Sequence, residues 1–105
     1  MIKNIFSSIP KDIPKELFET IVSSKEIRIE RIISKGHITE NNKWYNQDKN
    51  EFVIVLKGSA VIEYKNNEMI NLGIGDYLII PARKEHRVAE TSKKEETIWL
   101  AVFYQ

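Results

Sequence analysis

Two residues whose side chains could work together chemically, Glu51 and His86, lie far apart in the sequence. Glu51 opens an apolar run, Phe52–Leu56, that ends near Gly58, whereas His86 follows a proline and a charged turn. An apolar run of this kind is typical of a buried strand, and a histidine that opens the next strand can point into a β-barrel. A carboxylate and an imidazole that meet in such a lumen could bind a divalent cation or transfer protons.

The elements that must position this pair are predicted to be short strands. Residues 27–33 are rich in β-branched side chains, and several further runs are separated by turn residues. Many short strands with regular turns indicate an antiparallel barrel or sandwich, and an immunoglobulin-like sandwich is the alternative fold. The predicted strands are Ile27–Ile33, Phe52–Leu56, Ser59–Tyr64, Met69–Leu72, Tyr77–Ile80, His86–Glu90 and Thr97–Tyr104, with a short one at Trp44–Gln47.

One helix is predicted, over Pro14–Ser24. Proline suits the first position of a helix, and Leu17, Phe18, Ile21 and Val22 recur at the spacing of one helical stripe. We therefore predict a single domain in which residues 1–26 form an arm and a short helix that pack on a β-barrel of residues 27–105.

Composition narrows the classes of function. The 16 basic and 15 acidic side chains give a net charge of +1 and are well mixed, which favours neither nucleic acid nor an anionic membrane as a partner. The absence of cysteine excludes disulfides and thiol chemistry and is compatible with the cytoplasm. No apolar run approaches the roughly 20 residues that span a bilayer, and the first residues lack the apolar stretch of a signal peptide. We expect a cytoplasmic protein.

The segment that ends at His86 resembles the second sequence motif of the cupin family. Gly75, Pro81 and His86 stand at the spacings of that motif, with Arg83 in place of its glycine and Glu90 in place of its asparagine. The resemblance covers about residues 27–104. It implies an all-β fold, a single-domain cupin jelly-roll barrel, which is also called a double-stranded β-helix.

The first cupin motif is matched only in part. Glu51 stands at its glutamate, but the positions of its two histidines hold Tyr45 and Gln47 at one spacing, or Trp44 and Asn46 at the other. Because successive side chains of a strand point to opposite faces, an unbroken strand places Tyr45 and Gln47 beside Glu51. A single bulged residue would place Trp44 and Asn46 there instead. We prefer the unbroken strand, which needs no added irregularity.

The resemblance implies that Glu51 and His86 could hold a divalent transition metal such as zinc, iron, manganese or nickel. Gln47 would be a weak additional ligand, and His37 would be another if its loop folds over the barrel mouth. Two strong donors predict weak metal binding. The alternative, which we favour, is a metal-free pocket in which Glu51 and His86 interact with each other.

A pocket for a small-molecule ligand is therefore predicted among Tyr45, Gln47, Glu51, Arg83 and His86. Arg83 is either a surface turn residue or a clamp for an anionic group. The function we expect is small-molecule binding of unassigned activity, with weak metal dependence at most. The alternative is a metal-dependent enzyme of the dioxygenase, isomerase or decarboxylase type. In a metal-free enzyme the apolar lumen would raise the pKa of Glu51, which would act as a general base. The sequence leaves catalytic turnover undecided.

Two predicted strands are apolar on both faces, Phe52–Leu56 and Ile98–Tyr104. A strand with one solvent-exposed face should alternate between apolar and polar residues, so the second face of these two strands must be covered. Residues 1–24 could supply that cover. We predict instead that a second copy of the chain does so, in a homodimer formed through the terminal strand.

Overall fold

A computed structural model describes residues 2–105 of the chain. Within these residues the secondary structure consists of strands and turns without a helix, so the described chain has no helix that could cross a membrane. The strands are β1 (Leu17–Ser23), β2 (Ile27–Ser34), β3 (Asn50–Lys57), β4 (Ala60–Tyr64), β5 (Met69–Leu72), β6 (Tyr77–Ile80), β7 (His86–Thr91) and β8 (Thr97–Tyr104).

The strands form two antiparallel sheets that face each other. The larger sheet has the order β1-β2-β8-β3-β6, and the smaller has the order β5-β4-β7. Alternate side chains of each strand point between the sheets, where a core of aliphatic and aromatic residues excludes water. The strands predicted from residue 27 onward are confirmed, while Trp44–Gln47 makes only an isolated bridge, in which Tyr45 pairs with His86.

The predicted helix over Pro14–Ser24 is wrong, because residues 17–23 form the edge strand β1. This strand pairs with β2 from Leu17 opposite Ile33 to Ser23 opposite Arg28. Without it, the backbone donors and acceptors along that side of β2 would lack partners. Pairing across the sheet therefore overrides the helical spacing of the apolar residues.

A β-bulge explains why the apolar residues of this strand have a spacing close to that of a helix. The register shifts between Thr20 and Val22, so that Ile21 is an extra residue on β1. An extra residue breaks the strict alternation of a strand and brings the spacing of apolar residues close to that of a helix. Three consecutive β-branched residues, Thr20 to Val22, are the signal that favours the strand.

Two turn glycines set the positions of neighbouring strands. Gly58 has φ of 81° and joins β3 to β4, and a Cβ atom there would lie 2.5 Å from Oγ1 of Thr97. Gly75 has φ of 87° and donates its backbone N–H to the carbonyl of Val55 at 2.7 Å. Both need the left-handed backbone that glycine adopts without strain. Together they hold β3 beside β6 and against the start of β8.

The N-terminal arm covers part of the outer face of the larger sheet. The buried guanidinium of Arg31 donates to Oε1 of Glu19 at 2.6 Å and to the carbonyls of Ile5 and Ser7 at 3.0 and 2.6 Å. Arg31 therefore fastens both the arm and β1 to β2. Farther along the same face, Tyr77 and Ile79 of β6 remain 63% and 50% exposed.

Candidate ligand pocket

The structure brings Glu51 and His86 together inside the barrel. Glu51 lies on β3 of the larger sheet and His86 opens β7 of the smaller sheet, and they are 8% and 4% exposed. Nε2 of His86 is 3.5 Å from Oε1 of Glu51. His86 follows the turn after Pro81. Its backbone is held in place by two hydrogen bonds with the backbone of Tyr45, at 2.8 and 3.2 Å.

The orientation of His86 decides where its proton lies. Nδ1 of its ring is 2.9 Å from the backbone carbonyl of Lys84, which can only accept a hydrogen bond, so Nδ1 carries a hydrogen. In a neutral imidazole Nε2 then bears a lone pair, and this lone pair faces the Glu51 carboxylate. Two acceptors repel each other unless a proton or another cation lies between them. The pair is therefore suited to hold and transfer one proton.

Gln47 and Tyr45 contact the Glu51–His86 pair, which forms the floor of the pocket. Nε2 of Gln47 donates to Oε1 of Glu51 at 2.9 Å, and the Tyr45 ring stacks on the His86 ring with 5.6 Å between centroids. Burial, together with the negative charges of Glu16 and Glu51, raises the pKa of the Tyr45 phenol, against a hydrogen bond with Thr39 that lowers it. Tyr45 is therefore a neutral phenol at physiological pH.

A second carboxylate, Glu16, also lines the pocket and is not among the residues predicted from the sequence. It precedes β1, and its Oε2 accepts a hydrogen bond from the hydroxyl of Ser34 on β2. Burial raises the pKa of Glu16, while the Ser34 hydrogen bond and the charge of His37 lower it. Strand alternation places Glu16 on the same side as Phe18, but only once residues 17–23 are recognised as a strand instead of the predicted helix.

The rest of the wall is apolar. The cavity has a volume of about 60 Å³ and is partly open to solvent. An apolar cavity of roughly 150 Å³ accommodates benzene, so this cavity admits only a small group, and the remainder of a ligand must extend through the open side, the mouth. Phe18 and Tyr45, which are 49% and 39% exposed, mark this mouth. The apolar lining residues are Phe18, Ile32, Val53, Ile62, Ile80, Val88, Trp99 and Phe103.

Among the candidates for the first-motif positions, Tyr45 and Gln47 line the pocket, whereas Trp44 and Asn46 do not. The Trp44 ring lies outside, 5.9 Å from the guanidinium of Arg87. This is the arrangement expected for a strand without an inserted residue.

Arg83 and His37 are not among the lining residues. Arg83 is exposed in the turn before β7, where its φ of 69° is left-handed, and its backbone N–H donates to the Gln47 carbonyl at 2.8 Å. A left-handed backbone is the reason that a glycine suits this position of the motif. Nδ1 of His37 accepts the backbone N–H of Lys35 at 2.9 Å, so that this nitrogen is occupied within its own loop.

The donors present do not fit a tightly bound transition metal. Glu51 and His86 are two strong ligands, but the described residues contain no group of three or more His, Cys, Asp or Glu side chains that could hold a metal ion. Gln47 presents its N–H group to Glu51, and Tyr45 is a neutral phenol. Stable transition-metal sites in proteins use three or four protein donors. Glu51 and His86 alone would therefore hold a divalent cation only weakly.

Comparison with known proteins gives consistent matches. The family model described as Cupin domain matches residues 31–103. A solved structure from Ralstonia eutropha JMP134, provisionally named a mannose-6-phosphate isomerase, is 38% identical with a TM-score of 0.95, covering 100% of this chain and 98% of that one. A comparison with the curated proteins finds no match.

Two more distant structures share the fold. A cupin superfamily protein from Desulfitobacterium hafniense DCB-2 is 21% identical with a TM-score of 0.75, and the match covers 91% of this chain and 83% of that one. An RmlC-like cupin protein from Desulfovibrio desulfuricans is 16% identical with a TM-score of 0.74, and the match covers 99% and 95% of the two chains. At these identities the likeness concerns the fold alone.

Proposed function

Because the chain belongs to the cupin family, we propose that its barrel binds a small organic molecule above the floor formed by Glu51 and His86. The observation that carries this proposal is the buried pair, with 3.5 Å between Nε2 of His86 and Oε1 of Glu51, in an otherwise mainly apolar cavity. Apolar walls with a few convergent polar groups are typical of pockets for small ligands.

The floor defines the chemistry that the pocket can offer. Gln47 orients the Glu51 carboxylate, and the Lys84 carbonyl orients the His86 ring. A ligand with a compact apolar body and one polar group can hydrogen-bond to this pair while its body contacts the walls. A proton held between Glu51 and His86 can also be exchanged with that polar group. In the metal-free pocket that we propose, turnover would proceed by proton transfer.

The name of the Ralstonia relative suggests a phosphorylated sugar, and the lining of this pocket argues against that class here. A phosphate group is usually bound by arginine, lysine or a helix N-terminus. No lysine or arginine side chain is found among the pocket-lining residues of the described chain, and Arg83 is exposed in its turn. We therefore propose an uncharged or cationic ligand rather than an anionic one.

A fragment screen tests the proposal. Fragments that raise the melting temperature of the wild-type protein should lose at least about tenfold in affinity in Glu51→Gln and His86→Gln, because the first change removes the carboxylate and the second removes the imidazole. Glu85→Gln is the matched control, since the Glu85 side chain bonds Lys65 on the surface at 3.2 Å. Equal binding of every such fragment to all four proteins would refute a pocket on this floor.

A metal assay separates this proposal from the metal-dependent alternative. After incubation with iron, zinc, manganese or nickel and removal of free ions, we expect far less than one ion per chain. The reason is that Glu51 and His86 supply only two strong donors. An occupancy near one ion per chain that is lost in Glu51→Gln would instead support a metal-dependent enzyme.

The homodimer formed through the terminal strand stays a prediction. On the outer face of the larger sheet, Phe52 and Ile54 of β3 lie opposite Val102 and Leu100 of the terminal strand β8. On their other side they lie opposite Ile79 and Tyr77 of β6, so the apolar patch extends from β8 to β6. Light scattering should give about twice the chain mass of 12.3 kDa, and Ile79→Glu should give a monomer. Ile74→Glu, at an exposed turn residue, is the control that should leave the mass unchanged. A wild-type monomer at micromolar concentration would contradict the prediction.

A further inference from the structure

We propose that Glu16 is a ligand-binding residue near the pocket mouth and that it selects small organic amines, in their protonated form, over neutral and anionic molecules. This inference rests on the proposed function, because it names the ligand class of the same pocket.

A chain of hydrogen bonds fixes the Glu16 carboxylate. The indole Nε1 of Trp99, which can only donate, bonds the hydroxyl oxygen of Ser34 at 3.1 Å. Ser34 must then direct its own hydrogen elsewhere, and it donates to Oε2 of Glu16. Ser34 and Trp99 are both buried on neighbouring strands, so the anchor of this chain is rigid. The other carboxylate oxygen of Glu16 takes no part in the chain and is left for a ligand.

The charges around the pocket favour a cation. Its lining has two carboxylates, Glu16 and Glu51, one imidazole, and no lysine or arginine side chain in the part of the chain that the structure describes. Glu51 faces His86 and accepts from Gln47, whereas the hydrogen bond that the structure gives Glu16 comes from a neutral hydroxyl. Glu16 is thus the carboxylate that a positively charged ligand would complement.

The other titratable groups near Glu16 are consistent with its role as the binding residue for a protonated amine. Tyr45 is a neutral phenol, and the raised pKa of Glu16 shows that the nearby charge of His37 does not offset the burial of the carboxylate. An ammonium group beside Glu16 would stabilise its ionised form. Amine binding should therefore weaken as the pH falls and Glu16 takes up a proton.

The aromatic walls point to the same class of ligand. Phe18, Tyr45, Trp99 and Phe103 all line the cavity. The face of an aromatic ring attracts a cation, and clustered aromatic side chains recognise organic ammonium groups. The cavity volume of about 60 Å³ limits the part that enters to a small alkyl or ammonium group.

Three probes of matched shape test the inference: propylamine, 1-propanol and propionate. They are titrated into the wild type, Glu16→Gln, and the control Glu40→Gln, whose exposed side chain pairs with Lys43. We expect propylamine to bind the wild type at least tenfold more tightly than the other two probes. Glu16→Gln should remove this preference while leaving the affinity for propanol unchanged, and Glu40→Gln should behave as the wild type.

The indole N–H signal of Trp99 in a ¹H–¹⁵N NMR spectrum supplies a second readout. It can be assigned by comparison with Trp44→Phe, because the chain has two tryptophans. Propylamine should shift this signal through Ser34 in the wild type and not in Glu16→Gln. If Glu16→Gln does not fold, Ser34→Ala serves instead, and it should weaken propylamine binding severalfold by releasing the carboxylate from its anchor.

The outcomes distinguish this inference from the pocket proposal. Equal binding of the three probes, no binding of any of them, or propylamine affinity unchanged by Glu16→Gln overturns amine selection. The pocket proposal stands in each of these cases if fragments of any other class bind in a manner that depends on Glu51 and His86. It fails only if no such fragment is found.

Discussion

The two carboxylates of the pocket are the same chemical group in different settings. Glu51 is buried on β3, accepts a hydrogen bond from Gln47 and lies beside His86. Glu16 is partly exposed ahead of β1 and accepts from the hydroxyl of Ser34. We propose that the first shares a proton with His86 and that the second attracts a positively charged ligand. Neighbours and burial, rather than residue type, assign these roles.

The strands that carry the two carboxylates also differ in support. β3 lies between β8 and β6 and is hydrogen-bonded on both sides, whereas β1 is an edge strand that pairs with β2 alone. Local opening in proteins begins where few backbone and side-chain contacts must break. The floor of the pocket should therefore be the rigid part, and the mouth should be the part whose geometry can adjust to a ligand.

The largest expected effect comes from removing the imidazole at the floor. His86→Leu leaves the Glu51 carboxylate buried without its neighbour, which should lower the free energy of unfolding by about 3 kcal/mol at neutral pH. Urea denaturation measures this change. Adding Glu51→Leu should restore most of the loss, because an apolar pair of similar volume needs no polar partner. A single variant within about 0.5 kcal/mol of wild type would mean that the pair is not energetically coupled.

The next effect concerns the support of the mouth. Arg31→Met keeps an apolar side chain of similar length but removes the bonds to Glu19 and to the carbonyls of Ile5 and Ser7. We expect a loss of about 2 kcal/mol, because these are hydrogen bonds to a charged group. Hydrogen exchange should become faster in β1 while β3 stays protected.

Lys35→Met is the matched control for that change. Lys35 is a half-exposed residue next to β2, and its amine is 3.8 Å from Glu96. A surface pair of this kind contributes little, so the control should differ from wild type by less than about 0.5 kcal/mol. Uniform loss of protection in both strands of Arg31→Met would contradict the separation of a rigid floor from an adjustable mouth.

The floor could be predicted from the sequence because residues close to Glu51 and His86 in the chain indicate the strands and the turn that position them. Gly75 and Pro81 mark the beginning and end of β6, and the turn that follows leads directly to His86. Period-two alternation then placed Tyr45 and Gln47, rather than their neighbours, on the side of Glu51. Each step used residues close together in the chain, and the resemblance to the cupin motifs supplied the long-range pairing of Glu51 with His86.

The mouth could not be predicted from the sequence, because it depends on the pairing of β1 with β2, and the spacing of the apolar residues in β1 resembles that of a helix. Glu16 reaches the pocket only because residues 17–23 add to the edge of β2, and the bulge at Ile21 gives these residues a helix-like spacing. The direction of the Arg83 side chain was equally hidden. Its residue type fits a turn or an anion clamp, and the left-handed backbone that sets its position becomes visible only in the fold.

A smaller, pH-dependent effect should set Glu16 apart from Glu51. Burial raises the folded-state pKa of Glu16 above 4.5, its ordinary value, so Glu16 ionises at lower pH in the unfolded chain than in the folded one. Stability from this group is fully present below that value and is lost as the pH rises through the folded pKa. Glu16→Gln should not show this loss of stability, because glutamine does not ionise.

The stability of Glu16→Gln relative to wild type should therefore increase between acidic and neutral pH. Urea denaturation at several pH values in this range measures the difference. Glu40→Gln, at an exposed position, is the control and should show no such trend. A difference that is constant with pH would show that the Ser34 hydrogen bond and the charge of His37 cancel the effect of burial, and a difference that decreases would show that they outweigh it.

The smallest expected effect comes from replacing Arg83, which tests whether its guanidinium contacts a ligand in the pocket. Arg83→Gly relieves a left-handed backbone at φ of 69° but adds freedom to the unfolded chain, so a net stabilisation of about 0.5 kcal/mol is expected. Asn67→Gly is the matched control: its φ is 73°, asparagine tolerates that conformation, and little should change. Because the backbone N–H of residue 83 still bonds Gln47, ligand affinity should be unaffected. If Arg83→Gly weakens the binding of propionate or mannose 6-phosphate, the arginine does reach the ligand, and the contrast between a proton-sharing floor and a charge-selecting mouth fails.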